Sequence, residues 1–276
     1  KMRKGLIYFF VLPFILAASL AGFLIWRWKD IQGAEIVNIK IGAGDWQVII
    51  LYIILLAIVF FISRRFFKSP KLFFRILFFI AIFSSFEIFL VTFISNPTIV
   101  FLGALLLVLF YWFARLVLVH NILMIIVFST LAAFLGLSFS SGQILILLLI
   151  LSIYDYISVY KTKHMQAMAK ELITWGIAPA IIIPPDFYEL LGPKKETPPQ
   201  EHNYFILGGG DIVFPVSLVA ASLLSSPLKA FFVALSLLIG VLVTYYIFIN
   251  KKEAIPALPA LAFFTALGFV IVNIIL

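Results

Sequence analysis

Two aspartates of this chain, Asp155 and Asp211, stand inside long apolar runs. An ionised group inside a bilayer costs several kcal/mol or changes its protonation state, so an acid in such a place is a functional candidate. Two carboxyl groups held close together share one proton across much of the pH range. One can then act as general base on a water while the other acts as acid towards an amide, which is the chemistry of an aspartic protease.

The composition places these carboxyl groups in a membrane. Of the 276 residues, 64% are hydrophobic and 12% are charged, and the mean hydropathy is +1.20. Soluble domains carry roughly 25% charged residues. The chain is therefore predicted to be an all-α, polytopic transmembrane helical bundle rather than a barrel. The net charge of +8 at pH 7 is expected to reflect membrane orientation, not a nucleic-acid partner.

Nine apolar stretches are long enough to be read as membrane spans. They are 5–26, 46–62, 72–94, 98–114, 122–139, 144–160, 205–224, 228–249 and 257–276. A cytoplasmic N-terminus puts every lysine and arginine inside except Arg27, Lys29, Lys40 and Lys229, as the positive-inside rule requires. This topology predicts a C-terminus outside. The first stretch is expected to be a retained span, because it is too long for a signal-peptide core and lacks a convincing small-residue cleavage site.

The predicted bundle is a single structural domain in three parts. Residues 1–160 hold spans one to six, 161–204 an interfacial helix and a mobile cytoplasmic linker, and 205–276 spans seven to nine. The apolar part of the middle stretch, 173–183, would cover only about 16 Å as a helix, which is too short for a core of about 30 Å. We therefore expect it to lie at the membrane interface.

The topology brings the two aspartates to the same depth. With 1.5 Å per helical residue, Asp155 lies about 9 Å and Asp211 about 10 Å from the cytoplasmic boundary. Two antiparallel neighbouring helices would thus offer one carboxyl group each. Two alternatives remain open at this point, a hydrogen-bonded structural pair and a proton or cation site in a transporter or leak channel.

Glycines and prolines flank the pair. Three consecutive glycines before Asp211 let another backbone approach the carboxyl group, although small residues also serve close helix packing. Pro256 and Pro259 open the last span and leave backbone groups free there. A second Gly-x-Gly-Asp string ends at Asp45 outside the membrane, where we expect a helix N-cap.

Three motifs together resemble the presenilin and signal-peptide peptidase family of intramembrane aspartyl proteases. They are Tyr154-Asp155 in one span, Gly208-Gly209-Gly210-Asp211 in the next, and Pro256-Ala257-Leu258 at the start of the last. Their order and the nine-span topology match that family over nearly the whole chain. The resemblance implies that the catalytic pair is Asp155 and Asp211. It also implies that the residues that shape the active site and receive the substrate are Tyr154, Gly208, Gly209, Gly210, Pro256, Ala257 and Leu258.

The resemblance further implies the activity and the partners. Members of the family hydrolyse peptide bonds of single-span transmembrane proteins within the bilayer, and they need no metal or organic cofactor. The chain looks like a stand-alone microbial homologue, so we expect a prokaryotic cell membrane and no obligate partner subunit. The resemblance does not decide whether the chain forms a homo-oligomer.

Other polar residues of the predicted spans receive structural interpretations. Glu87 is expected to be a protonated or hydrogen-bonded interior residue. Arg75 is expected to extend to the cytoplasmic headgroups. The three histidines lack metal-ligand spacing, so no zinc site is predicted.

Overall fold

A computed structural model describes residues 6–32, 70–113, 116–161, 171–172, 174–184, 187–192, 205–251 and 255–275. Within these ranges the chain forms nine helices and one two-stranded antiparallel sheet. In chain order the elements are α1 Leu6–Gln32, α2 Pro70–Val91, α3 Pro97–Phe113, α4 Val117–Ser138, α5 Ser141–Tyr160, β1 Ala180–Ile183, α6 Phe187–Leu190, β2 Phe205–Gly208, α7 Gly209–Ser225, α8 Pro227–Lys251 and α9 Leu258–Ile275.

Six helices are long and apolar enough to cross a bilayer, namely α1, α2, α4, α5, α8 and α9. Helices α3 and α7 are apolar but have 17 residues each, a length of about 25 Å. The predicted helical bundle is confirmed, and each predicted span except 46–62 overlaps with one of these helices. That stretch and Asp45 lie outside the described residues. The orientation in the membrane stays a prediction.

Helix starts follow local signals in the sequence. Ser140 caps α5, where its hydroxyl accepts the N–H of Gln143 and the Gln143 side chain accepts the N–H of Ser140 in return. Pro97 and Pro227 are the first residues of α3 and α8. A proline is tolerated there because the first N–H groups of a helix have no intrahelical acceptor.

Helix α7 forms the centre of the bundle and packs against α1, α4, α5, α8 and α9. From Pro215 to Ser222 each of its residues is buried. A helix that is apolar all round belongs in an interior of this kind. Small residues allow the close approach of α4, because a Cβ at Gly136 would lie 2.8 Å from the Cβ of Ala220.

The sheet is the main departure from the predicted architecture, which was purely helical. Strands β1 and β2 pair with Ala180 opposite Gly208 and Ile183 opposite Phe205. The segment predicted as an interfacial helix over 173–183 therefore ends in a strand, which its β-branched isoleucines favour. The seventh predicted span likewise begins with β2, and its helix begins only at Gly209.

The stretch 161–204 is thus more structured than a helix and a linker. The structure describes β1 and the short helix α6 within it. The linker predicted to be mobile, 186–203, lies mostly outside the described residues, which include 187–192 of it.

Candidate active site

Asp155 lies on α5 with only 7% of its surface exposed. Its Oδ2 accepts the backbone N–H of Leu258, the first residue of α9, at 3.3 Å. The first intrahelical bond of α9 runs from Leu261 N–H to Ala257 O, so the amide of Leu258 has no acceptor within its own helix. Asp155 therefore caps α9 from another helix, at a position where the helix dipole favours negative charge.

The two prolines make Leu258 the available donor. Pro259 follows it in the first turn of α9 and has no N–H, while Pro256 precedes it by two residues. The first Pro-Ala-Leu string, Pro256 to Leu258, thus ends at the Asp155 carboxyl group. A second Pro-Ala-Leu string, Pro259 to Leu261, lies within α9, and its leucine is fully buried.

Asp211 stands in the first turn of α7 and is half-buried. Gly208 is the N-cap residue, so Asp211 is the third helical residue, and its carboxyl group accepts the backbone N–H of Gly208. This is the return bond of a capping box, and an acid in the first turn also interacts favourably with the helix dipole. The depth estimate for Asp211, which treated the segment from 205 onward as helix, does not hold.

Helices α5, α7 and α9 pack against one another and bring the two carboxyl groups within electrostatic range of each other. Each carboxyl group accepts an N–H at a helix N-terminus, Asp155 that of α9 and Asp211 that of α7. A helix N-terminus acts like roughly half a positive charge, so two of them lower the cost of a negative charge held between the helices. Such a pair can hold one proton and activate a water.

Two of the three glycines before Asp211 have tight surroundings. A Cβ at Gly208 would lie 3.2 Å from Oδ2 of Asp211, so the missing side chain leaves room beside the carboxyl group. A Cβ at Gly209 would lie 2.6 Å from Cζ of Phe128 and 3.0 Å from the carbonyl oxygen of Pro179. Gly209 therefore permits close packing against α4 and the chain before β1.

The third glycine, Gly210, has more space. Its residue surface is exposed, and a Cβ there would make ordinary contact with the Phe214 ring at 3.7 Å. Gly210 therefore has room for a side chain, unlike Gly209.

Tyr154 precedes Asp155 on α5, but 54% of its surface is exposed. Because neighbouring helical residues are about 100° apart around the axis, the tyrosine leaves α5 on another side than the carboxyl group. Its predicted part in shaping the active site stays a prediction.

Asn121 is a buried polar residue that the sequence motifs did not identify. It is buried on α4, where its Nδ2 donates to the carbonyl oxygen of Ile182 at 2.7 Å and its Oδ1 accepts the N–H of Ile182 at 2.9 Å. The neighbouring His120 bonds through Nε2 to the carbonyl oxygen of Ala180 at 2.9 Å. The sequence feature that could have identified it is an amide side chain near the start of an apolar helix, because a buried amide requires hydrogen-bond partners.

Arg75 also contacts the chain before β1. Its Nε and Nη2 donate to the carbonyl oxygen of Trp175 at 3.1 and 2.8 Å. The next residue, Gly176, has a φ of 75°, a left-handed conformation that glycine adopts without steric cost. The arginine thus stabilises the turn that leads into β1, and its expected extension to the headgroups stays a prediction.

Across the described ranges, no group of three or more His, Cys, Asp or Glu side chains could hold a metal ion. The groups that the described part of the site presents are two carboxyl groups and the backbone amides around them.

The comparisons with known proteins agree with this architecture. A family model described as signal-peptide peptidase, presenilin aspartyl protease, matches residues 31–276. Two solved structures of a presenilin family intramembrane aspartate protease, in space groups C222 and P2, are similar in fold. The first has a TM-score of 0.60 and 21% identity and covers 95% of this chain and 94% of its own. The second has a TM-score of 0.59 and 20% identity and covers 97% of each chain. No curated protein matches the sequence.

Proposed function

We propose a role for each site residue from one premise, that the chain belongs to the signal-peptide peptidase and presenilin family of intramembrane aspartyl proteases. It is an integral multi-pass membrane protein, and its substrates are transmembrane proteins. Asp155 and Asp211 are its catalytic pair. The observation that carries this proposal is the convergence of two helix N-termini on the two carboxyl groups.

The pair hydrolyses a peptide bond in two steps. In the first step the ionised carboxyl group takes a proton from a water, whose oxygen attacks the carbonyl carbon, while the protonated carboxyl group donates to the carbonyl oxygen. In the second step the ionised carboxyl group takes a hydroxyl proton from the tetrahedral intermediate while the protonated one donates to the leaving amine. The C–N bond breaks, and the pair again holds one proton. The capped position of Asp155 and the first-turn position of Asp211 stabilise whichever group is ionised.

Strand β2 offers a place where substrate could bind in extended form. The backbone groups of Ile182 are taken by Asn121, so the ladder bonds between the strands run through the alternate pairs Ile181 with Leu207 and Ile183 with Phe205. The amide and carbonyl of Ile206 then point away from β1. No third strand pairs with β2 in the part of the chain that the structure describes.

A transmembrane helix must unwind before its peptide bonds become accessible, and an open strand edge satisfies the backbone groups that unwinding frees. Strand β2 runs directly into Gly209, Gly210 and Asp211. A substrate strand on this edge would therefore lie next to the catalytic pair. Gly208 would leave room beside the carboxyl group for the reacting bond, and Pro256, Ala257 and Leu258 would border it from the α9 side.

The proposal also covers the substrates, the orientation in the membrane and the location of the protein. The substrates are single-span proteins or peptides that enter laterally from the lipid. The N-terminus faces the cytoplasm and the C-terminus lies outside, as the distribution of lysine and arginine indicates. The membrane is that of a prokaryotic cell, and the chain acts without an obligate partner subunit.

Cleavage of a single-span reporter by the purified protein in proteoliposomes tests the catalytic assignment. Asp155→Asn and Asp211→Asn keep the size of each side chain but remove its acid, and each is expected to abolish cleavage while the helical circular dichroism is unchanged. Glu87→Gln is the matched control, because Glu87 is a half-buried acid on α2 outside the site. It is expected to keep activity.

Appreciable cleavage by either purified asparagine variant would refute the assignment. Ion flux through the same proteoliposomes, dependent on both aspartates and without proteolysis, would instead favour a transporter or leak channel.

A further inference from the structure

We infer that Asn121 is a positioning residue that sets the register of β1 against β2 and thereby selects the peptide bond that is cleaved. The inference rests on the proposed binding of substrate as a strand along β2. The hydrogen bonds of Asn121 go to Ile182 of β1. Asn121 acts through the sheet.

The contacts of Asn121 imitate those of a neighbouring strand. A strand residue offers one N–H and one C=O side by side, and the Asn121 amide offers the same pair to a single residue, Ile182. His120, the preceding residue of α4, bonds to the carbonyl oxygen of Ala180, two residues earlier along the same edge. Helix α4 therefore occupies the edge of β1 that is opposite to β2.

The side chains of β1 cannot define the register by themselves. In a strand with one buried and one solvated face, a slip by one residue is costly because it exchanges the two faces. The strand reads Ala180-Ile181-Ile182-Ile183 and is buried on both faces, so a slip often replaces one isoleucine by another. An interaction other than the hydrophobic pattern must therefore fix the register of the strand.

Asn121 is suited to this task because of what borders β1. A slip by one residue would turn the groups that face α4 towards β2. A slip by two residues in one direction would bring Pro184, which has no N–H, opposite the Asn121 amide oxygen. The two-residue slip leaves the Asn121 amide oxygen without a donor, which is costly in a water-poor interior.

The position of β1 is transmitted to the catalytic helix. The carbonyl oxygen of Pro179, directly before β1, accepts the N–H of Gly209 at 2.9 Å, and Ala180 lies opposite Gly208. Both partners belong to the start of α7, two and three residues before Asp211. Loosening β1 therefore shifts the substrate-binding edge relative to the Asp211 carboxyl group.

The test is the distribution of cleavage positions rather than the total activity. A single-span reporter is digested in proteoliposomes, and the product ends are identified by mass spectrometry. Asn121→Leu is expected to raise the share of products cut at neighbouring bonds roughly tenfold, because two hydrogen bonds to β1 are lost. Thr130→Val is the matched control, since Thr130 is also buried on α4 but donates, among the described residues, to the Ile126 carbonyl oxygen of its own helix at 2.8 Å. It is expected to cut at the wild-type positions.

If Asn121→Leu is inactive, Asn121→Asp tests the inference instead. In Asn121→Asp the protonated acid can donate to and accept from Ile182, whereas the ionised form can only accept. Cleavage positions should be those of the wild type at low pH and spread at high pH. The wild-type protein at the same pH values controls for titration of His120 and of the catalytic pair.

The outcomes separate the two proposals. Wild-type positions in an active Asn121→Leu, or in Asn121→Asp at every pH, would overturn the inference and leave the proposed protease function intact. A wild-type protein that cleaves no reporter would instead contradict the proposed function.

Discussion

Asp155 and Leu258 are joined by a hydrogen bond of 3.3 Å between a side-chain oxygen of α5 and the first amide of α9. The two residues are 103 positions apart in the chain. The bond ties an acid in one membrane helix to the N-terminus of another, so the carboxyl group that we propose as catalytic also has a structural contact. It also accounts for the proline at the start of α9, because Pro259 has no N–H and Leu258 supplies the amide that Asp155 accepts.

The two roles of Asp155 can be separated by substitution. Asp155→Asn keeps an oxygen that caps α9 but loses the acid, so we expect normal stability and a fall in cleavage of at least about 100-fold. Asp155→Leu loses the cap as well and should lower the free energy of unfolding by about 0.5–2 kcal/mol relative to Asp155→Asn. Thermal unfolding in detergent and reporter cleavage measure both effects. Equal stability of the two variants would contradict the capping role.

Gly209 and Gly210 are expected to respond differently to alanine. A Cβ at Gly209 meets the Phe128 ring and the Pro179 carbonyl, and overpacking of this kind costs about 1–3 kcal/mol. A Cβ at Gly210 makes ordinary contact, and alanine is the better helix former by about 1 kcal/mol. Gly209→Ala should therefore lower the melting temperature, and Gly210→Ala should maintain or raise it. Equal melting temperatures for the two variants would show that the close contact at Gly209 is not limiting.

Gly208→Ala should impair catalysis more than stability. Gly208 has a φ of −60° and a ψ of 142°, which alanine adopts without strain. The added methyl group would lie 3.2 Å from Oδ2 of Asp211, in the space proposed for the reacting peptide bond. We expect kcat to fall by roughly tenfold or more, as a displacement of about 1 Å at a reacting group can cost about 100-fold. A variant with a wild-type kcat and a reduced melting temperature would assign Gly208 to packing instead.

Most of the helices could be predicted because the physics of the bilayer leaves few alternatives. A chain in hydrocarbon must satisfy its backbone groups internally, so each long apolar run forms a helix. The aspartates could be identified for a related reason, since an acid in such a run needs a compensating environment. The environment found for Asp155 includes the Leu258 amide; the prolines predicted free backbone groups at this helix start but not which amide binds the acid.

The sheet could not be predicted in the same way. Ala180–Ile183 is a short run that is apolar on both faces, so it has no alternation that separates a strand from a buried helix. Its pairing with Phe205–Gly208 joins segments that are distant in the chain, and no local pattern encodes it. Asn121 was missed for the same reason, because its value depends on the strand that it binds.

The proposed mechanism predicts a bell-shaped dependence of kcat/KM on pH. Hydrolysis requires one protonated and one ionised carboxyl group, so activity should fall at low pH, where neither group can act as base, and at high pH, where neither can act as acid. Both limits belong to the Asp155 and Asp211 pair rather than to either residue. Reporter cleavage between about pH 4 and pH 9 measures the profile.

The control for this profile is a measurement of whether the protein stays folded at each pH. Circular dichroism at each pH, followed by return to the optimum, should show reversible loss of activity without loss of helix. Glu87→Gln, which removes a half-buried acid of α2, should leave both limbs in place. A profile that rises or falls in one direction only over that range would mean that a single carboxyl group limits the rate, and the pair would not share its proton as proposed.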